Sequence, residues 1–210
     1  MTVDNEHTVL ADNPYWQGDK PHIFDAEKVE ELCLRAFETY STSTSLYAQY
    51  VVEDEDHEDE GNSQACLLTH PSLIGKHREK AEVKISSSLL SLAVAFRTFY
   101  DTLEEGDAVK EYLDKNFDAD FLCWMEPDRK RNKTSLREAC NKIIHARDVR
   151  PVYDKIDDVG ANEIWMMDGE VQLQTDEKGK EWRVSIILPD FLEAIMDFTK
   201  YYQSVNTKGS

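Results

Sequence analysis

Arg137, Asn141 and His145 stand four residues apart within Ser135-Leu-Arg-Glu-Ala-Cys-Asn-Lys-Ile-Ile-His-Ala-Arg147. A guanidinium holds an anion, an amide both donates and accepts, and an imidazole gains or loses a proton near neutral pH. On a helix, a four-residue step advances about 6 Å, so Arg137 and His145 lie about 12 Å apart along the axis. All three can therefore line one groove. The same residues also have a purely structural explanation. His145 and Arg147 near a helix C-terminus interact favourably with the helix dipole, and Asn141 could hydrogen-bond a neighbouring loop.

Other reactive constellations are thinner. Glu53 to Glu60 is acidic throughout except for His57, but it lacks the alternating ligands and sixth-position glycine of a calcium loop, so it reads as a solvated loop over 53–63. The dense basic cluster Asp128-Arg-Lys-Arg-Asn-Lys133 reads as a charged loop with some potential to hold a partner or a phosphate. His70 and His77 lack the further convergent ligands a metal needs. Phosphate loops, serine nucleophile elbows and zinc-helix motifs are missing from the sequence, so no metal or cofactor is expected.

These side chains have to be positioned by helices. Ser135-Leu-Arg-Glu138 is a capping box, and Leu136, Ala139, Cys140, Ile143 and Ile144 form the apolar side of the helix it opens. Upstream, Asp25 caps a helix whose face is Val29, Leu32, Cys33, Ala36, Phe37 and Tyr40; Ser41 to Ser45 weakens that pattern. Pro71 suits a helix first turn. From there Ile85, Leu89, Leu92, Phe96, Phe99 and Leu103 step by four and three, the stripe of a central bundle helix ended by Gly106. Asp107 caps a short helix with Val109, Tyr112 and Leu113. The stretch Asn116 to Glu126 reads as a buried connection.

The pattern then shifts to period two. Glu163 to Thr175 and Glu181 to Leu188 flank a glycine-containing turn, a β-hairpin that must pack on the helices. Pro189-Asp190 opens a last helix with Phe191, Leu192, Ile195, Phe198 and Tyr202. The expected fold is mainly α, a helical bundle with a C-terminal β-hairpin and final helix, α+β by strict count. Its expected parts are an irregular arm over 1–24 pinned by Tyr15, Trp16 and Phe24, a bundle over 25–150, a hairpin and helix over 151–204, and a frayed tail over 205–210.

Composition narrows the function. The net charge is −18, from 42 acids against 24 bases, a field that repels phosphate backbones and suits solubility or a basic partner. Hydrophobic content of 40%, with four Trp, nine Tyr and eight Phe among 210 residues, supplies one well-buried core. Cysteines 33, 66, 123 and 140 form no close pair, so reduced core thiols are expected. The acidic N-terminus lacks an apolar signal core, and the most apolar window, Leu89 to Phe96, falls far short of the ~20 residues that span a bilayer. A cytoplasmic protein without membrane contact is the expectation.

Cys140-Asn-Lys-Ile-Ile-His145-Ala resembles the signature of HEPN domains, in which an arginine–polar pair precedes a histidine on a helix. The likeness extends over roughly residues 71 to 148, including the long striped helix. It implies a small helical bundle, often dimeric, of the kind common in prokaryotic toxin–antitoxin and phage-defence systems, many of whose members are metal-independent endoribonucleases. Such cleavage needs proton-transfer groups and a cation for the phosphorane, and His145 could serve as one of the former. Cys140 stands where the family places arginine and cannot supply charge; Arg137, eight residues before His145, and Arg147 are the substitutes in reach. The expectation is therefore a protein-interaction module with a protein partner or a homodimer. A divergent ribonuclease using His145, Asn141 and Arg137, with RNA as partner, is the alternative, and an acidic mimic of nucleic acid the third.

Overall fold

The first helix opens where its cap requires. Asp25 Oδ1 accepts from the Lys28 N–H at 3.0 Å, and the Asp25 carbonyl accepts from Val29. The computed structural model describes residues 24–50, 71–116, 123–125, 130–132, 134–159, 162–177 and 180–206. Residues 1–23 of the arm and the acidic loop over 53–63 lie outside them. Helix α1 spans Ala26–Tyr50, α2 Pro71–Thr102, α3 Ala108–Asn116, α4 Leu136–His145 and α5 Leu188–Asn206. Strands β1 (Cys123–Met125), β2 (Lys130–Asn132), β3 (Asp148–Val159), β4 (Asn162–Glu177) and β5 (Lys180–Ile187) complete the fold. It is mainly helical, with a C-terminal antiparallel sheet and a final helix.

The α2 stripe is the centre of the core. Ile85, Leu89, Leu92 and Phe96 are fully buried, and Phe99 nearly so. Phe24, Phe99, Phe198 and Tyr202 stack edge-on or tilted around it, with Phe24 5.2 Å from both Phe198 and Tyr202. Phe24 therefore does pin the chain entering α1. In α1, Val29, Cys33 and Ala36 are buried as their spacing requires. Phe37, expected on that face, is exposed instead, because one residue beyond Ala36 turns the side chain by about 100°.

Helix α1 also runs straight through 41–45, where the pattern weakens. Thr39 and Thr42 return their hydroxyls to the carbonyls of Arg35 and Glu38, and Ser43 Oγ accepts from the Met167 N–H at 3.2 Å. A tertiary anchor on β4 thus carries the helix past a stretch of poor helix formers.

The hairpin is β4 and β5, with Val171 opposite Ile186 and Leu173 opposite Val184. It belongs to a larger sheet of order β2-β1-β5-β4-β3, antiparallel throughout. Three sequence expectations change here. Within the supposed buried connection, Cys123–Met125 is strand β1. Lys130–Asn132 of the supposed charged loop is an edge strand, pairing Arg131 with Trp124. Asp148–Val159 forms β3, which period-two patterning did not reveal because its sequence is rich in charge and contains Pro151. That proline is buried opposite Val171, in an edge strand, the place in a sheet where a missing N–H is tolerated. Met167, Val171, Leu173, Val184 and Ile186 are buried on the face that α1, α4 and α5 cover. Gly169 has φ +94° and passes beneath Tyr40; a β-carbon there would sit 3.3 Å from the Tyr40 hydroxyl.

Candidate functional site

The polar residues of α4 gather where this helix crosses α2. Ser135 opens α4 with extended backbone, φ −66° and ψ 155°, and its Oγ accepts from the Glu138 N–H at 3.2 Å. The carboxylate of Glu138 turns along the helix, accepting from Asn141 Nδ2 at 3.4 Å and meeting Lys142 Nζ at 3.5 Å. Leu136, Ala139, Cys140 and Ile143 are buried, so this side of α4 joins the core. Burial pushes the Cys140 thiol far above its usual range, and the nearby Arg97 charge only partly opposes this. Cys140 is a protonated core residue.

Asn141 Oδ1 accepts from Arg97 Nη1 of α2 at 2.6 Å. Arg97 Nε is bound to Asp101 Oδ2 at 2.6 Å, one turn further along α2. Asp101 Oδ1 also lies 3.7 Å from Arg137 Nη2, and the Arg137 guanidinium sits 5.3 Å over the Tyr100 ring. The Tyr100 hydroxyl donates to Asp114 Oδ1 of α3 at 2.6 Å, and burial followed by that carboxylate raises its pKa to about 12. Arg137 Nε is buried with no hydrogen-bond partner among the described residues. It borders a cleft of about 270 Å³ whose floor is Phe96, Leu113 and Leu136 and whose rim includes Tyr100, Asp114 and Ser135.

Arg137 and Asn141 thus enter one network, joined through Arg97 and Asp101. His145 does not: it is the last residue of α4, exposed, about 6 Å beyond Asn141 along the axis. Arg147 leaves the helix and ties its backbone N–H to the Gln174 carbonyl on β4 at 2.9 Å. Sequence reasoning missed Arg97, Asp101, Tyr100 and Asp114. The readable signal was the Arg97–Asp101 pair, opposite charges one helical turn apart beside the apolar stripe.

The chemistry of this cluster is that of a charge network built on one carboxylate: Asp101 binds Arg97 and lies beside Arg137, whose buried Nε has no acceptor among the described residues. Among the described residues no three His, Cys, Asp or Glu side chains are grouped so as to hold a metal. Among them, too, no helix is long and apolar enough to cross a membrane. Set beside known proteins, the chain matches no protein-family model, no curated protein and no solved structure.

Proposed function

We propose that this protein is an interaction module that binds protein through the outer face of α2, with a HEPN-like helical core. The observation that carries this reading is a row of apolar side chains left in water. Val83, Leu90 and Val94 are 62%, 47% and 45% exposed on a helix whose other side is the centre of the core. Large aliphatic groups repeated along one line are what a partner would cover. The Cys140–His145 likeness suggests a prokaryotic defence or toxin–antitoxin setting, and the surplus of acids fits a basic partner or charge-matched neighbour.

The competing reading is a metal-independent endoribonuclease. It draws on Arg97, which brings a cation to Asn141 from a neighbouring helix where Cys140 brings none. Incubating the purified protein with total RNA in EDTA separates the two. The interaction reading expects intact RNA from wild type and His145→Ala alike, together with a protein complex that Leu90→Asp dissolves. RNA cleavage that disappears in His145→Ala would overturn it.

A further inference from the structure

Arg137 is held in place without a hydrogen bond to its guanidinium. The group lies 5.3 Å over the Tyr100 ring. Among the described residues, the carboxylate oxygen in ion-pair range is Asp101 Oδ1 at 3.7 Å, beyond hydrogen-bond reach. Asp101 is committed instead to Arg97, at 2.6 Å, and Arg137 Nε has no acceptor. A planar fork suited to a carboxylate is thus kept beside the cleft with no anion bonded to it.

Asp114 lines the same cleft. Its Oδ1 accepts from the Tyr100 hydroxyl at 2.6 Å, which leaves Oδ2 for another donor. One tyrosine therefore sets both charges, with its ring under the guanidinium and its hydroxyl on the carboxylate. Arg137 and Asp114 are the two charged residues that line the cleft, and they are opposite in sign. Among the described residues no ion pair joins them, and both reach water. The floor is apolar, formed by the buried Phe96, Leu113 and Leu136.

These walls define a ligand. An anion alone would satisfy Arg137 but face the carboxylate of Asp114, and a cation alone would do the reverse. A small molecule that carries a carboxylate, an ammonium and an apolar body meets all three surfaces. Size agrees: a volume of about 270 Å³ falls just below the range of roughly 300–1,000 Å³ typical of drug-sized ligands, so the occupant has on the order of ten non-hydrogen atoms.

We infer that the cleft between α2, α3 and α4 binds a free α-amino acid with an apolar side chain. Arg137 receives its carboxylate, Asp114 its ammonium, and Phe96, Leu113 and Leu136 its side chain. This goes beyond the protein-binding reading, which uses none of these residues.

Titration calorimetry of the full chain with L-phenylalanine and with L-leucine tests it. At least one should bind with a dissociation constant of about 0.1–1 mM. 3-Phenylpropanoate, which lacks the amine, and phenethylamine, which lacks the carboxylate, should each bind at least roughly tenfold more weakly than phenylalanine. Asp114→Asn and Arg137→Gln should weaken the amino acid by a similar factor, and Asp114→Asn, at an exposed position, should do so with unchanged thermal melting. Leu90→Asp should leave the affinity as it is, so this inference and the protein-binding reading fail separately. A wild type silent to both amino acids at about 10 mM overturns the inference. So does binding that neither Asp114→Asn nor Arg137→Gln moves. Phenylalaninamide binding as tightly as phenylalanine would show that the cleft takes the N-terminus of a peptide, and overturns the inference as well.

Discussion

Helix α2 has two apolar rows on opposite sides and with opposite surroundings. Ile85, Leu89, Leu92 and Phe96 lie on the inner side, without solvent contact; Val83, Leu90 and Val94 lie on the outer side, in water. The outer line continues through Arg97 and Asp101, and there α4 covers it, satisfying Arg97 through Asn141. Along one helix the same line is thus open over Val83 to Val94 and engaged by α4 at Arg97 and Asp101. The polar network marks where intramolecular packing ends and the free surface begins.

Truncating one side chain on each row should break this comparison most sharply. Leu89→Ala should cost about 3 kcal/mol or more in chemical denaturation, while Leu90→Ala should change the stability of the monomer by less than about 0.5 kcal/mol. Equal losses would mean that the outer row is also packed within the chain. Next in size is the closed end. Asn141→Ala removes the amide that receives a three-quarters-buried guanidinium, and should cost roughly 1.5 kcal/mol. His145→Ala, on the same helix but exposed, should cost under about 0.5 kcal/mol. Urea melts of the two variants side by side would show whether these residues differ as their surroundings do.

Ser135→Ala should lose about 1 kcal/mol through its cap alone. The smallest effect is a pH dependence. Tyr100 ordinarily titrates near 10 and is raised to about 12 in the fold, so its contribution is complete below pH 10 and is lost as pH climbs through 12. Tyr153 is raised to about 12 as well, chiefly by burial. Tyr100→Phe should therefore flatten only part of the alkaline fall in melting temperature; an unchanged profile would place the cause elsewhere.

Much of this was legible in the residues. Periodicity located all five helices among the described residues, Asp25 and Ser135 marked true caps, and the hairpin stood out by alternation. What stayed hidden was decided by pairing over long sequence distances. Three-residue strands such as β1 carry no period to detect, and β3 hides its ladder under charge. At the site, the helical step sets Arg137, Asn141 and His145 along one helix, but spacing along one helix cannot say what crosses it. Arg97, forty-four residues from Asn141, decides which of the three are tied down.

Strand β3 closes one side of the sheet, and its ladder against β4 slips between Pro151 and Tyr153 and again between Lys155 and Asp157. A proline without an N–H and two irregular steps make a poor template for another strand. Asp154 and Lys155 add exposed charge to the same rim. Growth by sheet extension is therefore discouraged at this border. Crowding should therefore not lead one molecule to add a strand along this border of the next.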